Sequence, residues 1–375
     1  MTRNTIVDEV DKTSNRRMTP YDKRVKGTFA EMPPKERGPP RPNTAAEAHA
    51  NNYATVELGQ RYSDLSRWIP LFKADLEEMN RNKVGRPFLY SDMMIWCILC
   101  LMTNLGTDLR TAAGDAAGRL AAFGMSTPSY TRLVERIQML MAKIIEDPCQ
   151  ELLERYGSSI RFVYASKCVS DRVRRVGIDS SGLNCSCANA WRMRKWKTGV
   201  KDRGWLVIHA LSDIDSGEIL AYAITDDSVG DSPMLKPLVQ AALDAGHRFD
   251  TVYADGAYSG RENWSYLCRE HHMRFITSFK SNSNAKSLGC IDRAKAADLW
   301  CSMPYDEWAE VTGYGRRWKC ECVFSDFKQL FGETVTSRTE LGICAELFAK
   351  VFMFNEYKRI RARMIGVTGN GVAIA

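Results

Sequence analysis

The sequence lacks long hydrophobic runs. The most apolar stretch of the 375-residue chain is MMIWCILCLM, residues 93–102, which is about half of the ~20 residues that a membrane-spanning helix needs. The N-terminus also lacks the pattern of a secretory signal peptide. We therefore expect a cytoplasmic protein with no membrane association, in which residues 93–102 form a buried helix and the twelve cysteines are mostly buried thiols.

The motifs of zinc sites and of serine hydrolases are also missing. Two Cys-x-Cys pairs, which begin at Cys185 and Cys320, lack the two-residue spacing and the nearby histidines of a zinc site. Cys97 and Cys100 lie within the apolar stretch, where core packing is favoured over metal binding. The segment GIDSSG, residues 177–182, departs from the G-x-S-x-G pattern of a nucleophilic serine. Thiolate-bound zinc and serine hydrolysis are therefore disfavoured.

The charge balance of the chain is modestly basic. The net charge is +7, while hydrophobic residues make up 45% and charged residues 26% of the chain, as in an ordinary globular protein. This excess is compatible with a nucleic-acid partner. Residues 1–45 hold ten Lys and Arg, six Asp and Glu, and six of the thirteen prolines. We predict that residues 1–58 are a disordered, basic, proline-rich tail, and favour a solvated tail over a DNA-binding arm.

The pattern of residues 59–165 is helical. Apolar residues recur at spacings of three and four in LSRWIPLFKADLEEM and after Ser91, which is a plausible N-cap. A later helix, SYTRLVERIQMLMAKI, carries Arg132 and Arg136 near its start. We predict an all-α, helix-turn-helix-like domain in which both arginines contact DNA. A helical bundle used for packing or dimerisation is an equal alternative.

The pattern of apolar residues changes from helical to strand-like after Val173. Five segments rich in β-branched and aromatic residues predict strands: VRRVGID, WLVIHAL, EILAYAIT, TVYAD and MRFITSF. Three consecutive strands followed by alternating helices and strands is the order of a ribonuclease H-like mixed sheet. We therefore predict an α/β catalytic domain over residues 166–365, with a small insertion at about 281–312 to which the sequence gives no role. The basic C-terminal helix is expected to pack against the domain.

Two aspartates are predicted at strand ends, and a glutamate lies nearby in a basic segment. Asp179 closes VRRVGID and Asp255 closes TVYAD, and ligands bind at the carboxyl edge of open α/β sheets. On a continuous helix, Glu321 would share an arc of roughly 40° with Arg317 and Lys328. An i,i+4 ion pair with Arg317 explains only part of this alignment. Three carboxylates suit Mg²⁺ or Mn²⁺, the ions that support phosphodiester cleavage.

A second basic segment, residues 189–205, follows the first aspartate. NAWRMRKWKTGVKDRGW contains six Lys and Arg and three Trp. Cations neutralise phosphates and indoles stack on exposed bases, so we predict DNA contacts by Arg192, Lys195 and Lys197. The alternative is a solvated hairpin whose tryptophans pack inward.

Together these motifs resemble a known family. The spacing Y-(2)-R-(3)-E-(6)-K, from Tyr314 to Lys328, is similar to the signature of DDE-type insertion-sequence transposases. The segments GIDSSGL, LVIHALSDIDSGEILAYAITDDSVGDSPML, VYADGAYSG and RRWKCECVFSDFKQLFG resemble the insertion sequence 5 family, and the closest resemblance is to its insertion sequence 903 subgroup. GRPFLYSDMMIWCILCLM with TDLRTAAG resembles the N-terminal segment of this group. The resemblance covers roughly residues 84–358.

The resemblance implies a function and a set of site residues. The catalytic, metal-binding triad would be Asp179, Asp255 and Glu321, with Mg²⁺ or, as a substitute, Mn²⁺. Phosphates at the element end would be contacted by Tyr314, Arg317 and Lys328. The enzyme would bind terminal inverted repeats in double-stranded DNA, cleave the element ends and join their 3′-hydroxyls to target DNA. It would act as a homo-oligomer, a dimer in the synaptic complex, in a prokaryotic cytoplasm at the nucleoid.

Two alternatives and one departure from the family pattern accompany this interpretation. The chain could be a ribonuclease H-like nuclease that does not transfer strands, or an inactive DNA-binding derivative of a transposase. Cys320 and Cys322 flank Glu321, and a thiolate beside the carboxylate would favour a softer metal than Mg²⁺.

Overall fold

The computed structural model describes residues 44–144, 160–168, 171–185, 205–280, 283, 286 and 288–369. Most of the predicted tail lies outside these ranges, and so do the predicted DNA contacts Arg192, Lys195 and Lys197. Contacts divide the chain into two compact units. The smaller unit contains Asp250–Arg317, and the larger unit contains the described residues before and after that segment.

The larger unit begins with five α-helices, and the helices predicted there from the sequence are confirmed. They are α1 (Ala45–Ser63), α2 (Ile69–Asn80), α3 (Asp92–Leu105), α4 (Leu109–Ala121) and α5 (Tyr130–Ile144), with a short 3₁₀-helix, Leu65–Trp68, before α2. Ser91 caps α3 as predicted, because its Oγ accepts a hydrogen bond from the backbone N–H of Met94 at 3.0 Å. Such a bond satisfies a donor that the first turn of a helix leaves unpaired.

Helix α3 contains the most apolar stretch and is buried, as predicted. Cys97 and Cys100 are both fully buried, and burial raises the pKa of the Cys97 thiol to about 12, so these side chains serve as packing groups. Among the described residues, no single helix has the length and apolarity to cross a membrane. Only α3 and α4 taken together, with a bend of 113° between them, have that length and composition.

Helix α1 corrects the predicted extent of the disordered tail. The prediction is wrong for residues 45–58, which are helical. Thr44 and Glu47 form a reciprocal capping box at the start of the helix. Ala50, Ala54 and Leu58 are buried on one face, which packs against the C-terminal helix of the chain. The prediction relied on the scarcity of large apolar residues, but small residues allow two helices to pack closely.

The sheet of the larger unit is mixed. Its strands are β1 (Ile160–Ala165), β2 (Val173–Cys185), β3 (Trp205–Asp213), β4 (Ile219–Asp226) and β7 (Thr334–Val335). The order β1-β4-β3-β2 is antiparallel throughout, so the three consecutive strands predicted from the sequence, β2, β3 and β4, form a meander. Strand β7 pairs with β2 in parallel. Strands β1 and β7, which flank the meander, were not predicted. The prediction of an all-α region over residues 59–165 is wrong for residues 160–165, which form β1 because they pair with β4.

Three of the described helices in the larger unit pack on this sheet. They are α6 (Leu235–Asp244), α10 (Trp318–Phe331) and the 30-residue α11 (Glu340–Gly369). Helix α11 is a packing helix with a charged face, as predicted. Its Lys358 is 6% exposed and donates to Asp326 of α10 at 2.6 Å, and its Arg359 pairs with Glu218 at 2.6 Å. These ion pairs tie α11 to α10 and to the start of β4.

The smaller unit contains a parallel strand pair and short helices. Strand β5 (Arg248–Ala254) pairs with β6 (Arg274–Thr277) from Thr251 to Ala254. Between them lies α7 (Arg261–Trp264), which continues as a π-helix, Ser265–Glu270. The predicted insertion forms α8 (Ile291–Ser302) and α9 (Tyr305–Thr312). The chain is therefore a mixed α/β protein, with the predicted order of strands and helices after β2.

His209 of β3 makes the stability of the larger unit dependent on pH. Its side chain is fully buried, with Nε2 3.0 Å from Thr225 Oγ1 and Nδ1 3.5 Å from Asp231 Oδ1. Burial lowers the pKa of His209 to about 4, although the Asp231 carboxylate opposes the shift. The unfolded imidazole takes up its proton near pH 6.5 and the folded one only near pH 4. The free energy of unfolding should therefore fall by on the order of 3 kcal/mol between these pH values.

Urea unfolding of the wild type and of His209→Gln between pH 7 and pH 4 measures this effect. The substitution should flatten the dependence over this window, whereas His49→Gln, which removes an exposed imidazole, should leave it unchanged. Carboxylates that titrate near pH 4 contribute equally to all three proteins. Parallel curves for the wild type and His209→Gln would contradict the assignment.

Candidate active site

Asp179 lies in the middle of β2, and its predicted position at a strand end is wrong. The ladder with β3 runs on from Asp179, opposite Ala210, to Asn184, opposite Trp205. The Ser-Ser-Gly sequence that follows Asp179 is therefore part of the strand, because pairing with β3 overrides its turn-like composition. The carboxylate is half-buried, and its Oδ1 accepts the backbone N–H of Ser180 at 3.0 Å.

Helix α10 approaches β2 closely at Gly177, two residues before Asp179. A Cβ atom at position 177 would lie 2.1 Å from Sγ of Cys320 and 2.8 Å from Cδ1 of Ile214. Only glycine permits this approach. Side chains at i and i+2 point to the same face of a strand, so Asp179 lies on the face that α10 covers. Cys320, which is 1% exposed, immediately precedes Glu321.

Glu321 lies in the first turn of α10 and is exposed. The buried face of the helix is formed by Cys320, Val323, Phe324 and Phe327. Lys328 follows Glu321 by seven residues and shares its face, with its Nζ 3.3 Å from Glu333 Oε1. Arg317 belongs instead to a 3₁₀-helix, Tyr314–Arg317, that precedes α10. The predicted helical arc is therefore confirmed for Glu321 and Lys328 and wrong for Arg317.

Asp255 directly follows β5 in the smaller unit, as predicted. It caps a 3₁₀-turn, Gly256–Tyr258, by accepting the backbone N–H of Ala257 at 2.8 Å. The hydroxyl of Thr277, the last residue of β6, donates a hydrogen bond to the backbone carbonyl oxygen of Asp255. The half-buried carboxylate is thus held at the carboxyl end of a parallel strand, where α/β proteins bind ligands.

Tyr314 lies close to this loop. Its hydroxyl donates to Ser278 Oγ at 3.1 Å, and a Cβ atom at Gly256 would lie 3.2 Å from the same oxygen. The side chain is 7% exposed, and burial raises the pKa of the phenol. Tyr314 and Asp255, which the sequence analysis selected separately, are therefore neighbours within the smaller unit.

The insertion surrounds Tyr314 with aromatic rings, which gives it a role that the sequence did not predict. The centroid of Trp308 lies 4.8 Å from Tyr314 and 4.5 Å from Trp300, and Tyr305 lies 6.5 Å from Tyr314. The guanidinium of Arg317 lies 5.7 Å from the Tyr314 ring. Helices α8 and α9 therefore hold the start of the Y-R-E-K segment in place.

The two arginines predicted as DNA contacts in the helical region differ in their surroundings. Arg132 is exposed and pairs with Glu135 at 2.8 Å. Arg136 is 6% exposed, pairs with Asp92 of α3 and lies 4.8 Å from the Phe88 ring. Burial would raise the pKa of Asp92, but Arg136 and Lys143 hold it below its usual value. The packing alternative is thus favoured at Arg136, and a DNA contact by Arg132 stays a prediction.

The three candidate metal ligands belong to two different units of the chain. Asp179 and Glu321 belong to the larger unit and Asp255 to the smaller one. Within the described residues, no three His, Cys, Asp or Glu side chains form a group that could hold a metal ion, so the triad stays a prediction. Burial raises the pKa of the Cys322 thiol, which disfavours the thiolate that a soft metal would need.

Two residues important to this arrangement escaped the sequence analysis. The glycine within VRRVGID signals a close approach of another element, because glycine weakens a strand unless space is limiting. Ser278 follows β6 and has no distinguishing sequence pattern. Its role depends on Tyr314, which lies 36 residues away in the sequence.

The close contact between α10 and β2 can be tested by a pair of substitutions. Gly177→Ala should lower the free energy of unfolding by about 3 kcal/mol or more, because the new methyl group overlaps Cys320 Sγ. Cys320→Ala alone should cost about 1 kcal/mol, since it removes one buried atom. Urea unfolding should show that Gly177→Ala is clearly less damaging in the Cys320→Ala background, where the nearest obstacle is the end of the Ile214 side chain. Strict additivity of the two effects would contradict the contact.

Comparison with known proteins adds to this description. The family model described as "Transposase DDE domain" matches residues 173–355. A solved structure, the Drosophila P element transposase strand transfer complex, is 8% identical, with 82% of this chain and 87% of that chain covered and a TM-score of 0.31. A likeness of that degree does not establish a shared fold. Residues 173–355 are therefore similar to the DDE domain of transposases.

Proposed function

We propose that the protein is an insertion-sequence transposase of the insertion sequence 5 family, nearest to the insertion sequence 903 subgroup. The observation that carries this proposal is the extent of the family match. Residues 173–355 include all three candidate carboxylates and the complete Y-R-E-K segment. The substrate is double-stranded DNA that carries the terminal inverted repeats of the element, and the product is that DNA joined to a target.

The proposed catalytic fold is ribonuclease H-like. An antiparallel meander, β2 to β4, is followed by α6, β5, α7 and β6, which is the order that this fold requires. The helix with the third carboxylate, α10, comes after the insertion. Helices α1 to α5 are proposed to bind the element ends or to mediate dimerisation in the synaptic complex.

Asp179, Asp255 and Glu321 are proposed to bind Mg²⁺, with Mn²⁺ as a substitute. Their donor atoms are all carboxylate oxygens, which suit a hard divalent ion, and the neighbouring Cys320 thiol is buried against Gly177. Bound ions of this kind activate a water or a 3′-hydroxyl and stabilise the leaving oxygen.

Neighbouring structural elements orient the three carboxylates, and nearby side chains are proposed to bind the DNA. The β2–β3 ladder fixes Asp179, the 3₁₀-turn fixes Asp255, and the packing of α10 on β2 fixes Glu321. Arg317 and Lys328 are proposed to neutralise phosphates beside the cleaved bond. Tyr314 is proposed to contact the same DNA and to support Arg317, whose guanidinium lies near its ring.

Removal of one negative charge at position 321 tests this function. Glu321→Gln should lower Mg²⁺-dependent cleavage of the ends of the element at least about 100-fold, because metal binding supplies several kcal/mol to the transition state. Binding of the same DNA should be retained, as measured by fluorescence anisotropy in Ca²⁺. The matched control is Glu310→Gln, an exposed position in α9, which should cleave normally. Undiminished cleavage by Glu321→Gln would exclude the proposed triad.

A strand-transfer assay with precleaved ends and a supercoiled plasmid separates transposition from simple hydrolysis. A transposase joins the labelled 3′-ends to the plasmid, so that label appears in the plasmid band. Cleavage without joining would favour the ribonuclease H-like nuclease, and DNA binding without cleavage would favour an inactive derivative.

A further inference from the structure

Two arginines of the smaller unit lie at the loop that follows Asp255. Arg261 is the first residue of α7, at the end of the loop. Arg293 lies in the first turn of α8, which packs against α7. The Nε of Arg293 donates to the backbone carbonyl of Ser259, within the loop, at 2.8 Å. One guanidinium group thus extends from the loop itself, and the insertion contributes another.

The surroundings of these arginines are unusual for cations. Burial lowers the pKa of Arg293, and the positive charge of Arg261 lowers it further, so the two groups are close enough to repel each other. The Nε of Arg261 is buried without a hydrogen-bond partner among the described residues. Arg261 also makes no ion pair with a carboxylate in the described parts of the chain. A buried, unused donor on Arg261 beside a second cation is costly unless an anion binds there.

The chemistry of the site indicates which anion it takes. Guanidinium groups bind phosphate oxygens through paired N–H donors. The rings of Phe279, 5.4 Å from the Arg293 guanidinium, and Trp264, stacked on Phe279, provide a rigid apolar support on one side. A phosphodiester, which has one negative charge and two free oxygens, matches a pair of guanidinium groups.

We propose that Arg261 and Arg293 form a phosphate-binding site for the DNA backbone, next to the phosphate at which cleavage occurs. This inference rests on the proposed function, because it makes the loop after Asp255 a substrate contact. It adds two DNA-binding residues outside the Y-R-E-K segment. It also gives the insertion a second role, since α8 contributes Arg293 in addition to the aromatic residues around Tyr314.

Salt dependence of DNA binding provides a direct test. The probe is a labelled duplex that carries the ends of the element, and binding is measured in Ca²⁺ at about 50–300 mM NaCl. Each phosphate contact that is lost reduces the slope of log K against log salt by about 0.9. Arg261→Gln should show this reduction and bind about tenfold more weakly at the lower salt. Arg261→Lys should retain most of the slope.

Lys295→Gln is the matched control for charge, because Lys295 is exposed on the same helix as Arg293. It should bind like the wild type, whereas Arg293→Gln should behave like Arg261→Gln. Circular dichroism and thermal unfolding establish that each variant is folded, and Arg261→Gln is the primary variant because the side chain of Arg261 forms no hydrogen bond or ion pair with a described residue. Wild-type slopes and affinities in both glutamine variants would overturn the inference while leaving the transposase intact. Failure of the wild type to bind and cleave the ends would instead refute the proposed function.

Discussion

The close approach of α10 to β2 at Gly177 is the constraint on which the larger unit depends. A strand of a mixed sheet ordinarily presents side chains to the helix that covers it, and these keep the two elements apart. Here the missing side chain allows Cys320 Sγ to lie 2.1 Å from the point where a Cβ atom would be. Because Cys320 precedes Glu321 and Gly177 lies two residues before Asp179, this contact fixes both carboxylates to one helix–strand pair. The ion pair of Lys358 with Asp326 then ties the same helix to α11.

The smaller unit is organised around the loop that follows Asp255. Ser278 accepts the hydroxyl of Tyr314 and lies against Gly256, so the phenol and the loop are held by one side chain. The insertion packs its tryptophans around the same tyrosine. The first residues of the Y-R-E-K segment are therefore placed by packing within this unit and not by the regular geometry of a helix.

Local patterns predicted much of this structure. Enrichment in β-branched and aromatic residues located five of the strands, the serine before α3 located a cap, and Asp255 was placed correctly because its strand ends where its pattern ends. Features that depend on distant residues were missed. The alanines of α1 form a helix face because α11 covers them, and Tyr357 of α11 bonds to Asn51 across 306 positions. Asp179 continues in a strand because β3 pairs with it, and Arg136 is buried because Asp92 on another helix neutralises it.

The claim central to this account is that Asp179, Asp255 and Glu321 hold the catalytic metal. Anomalous diffraction from crystals of the protein with DNA of the element ends and Mn²⁺ tests it most directly. The account predicts a peak within bonding distance of carboxylate oxygens from all three residues, and loss of that peak in Glu321→Gln. An ion held by other side chains, with these three carboxylates uninvolved, would contradict it.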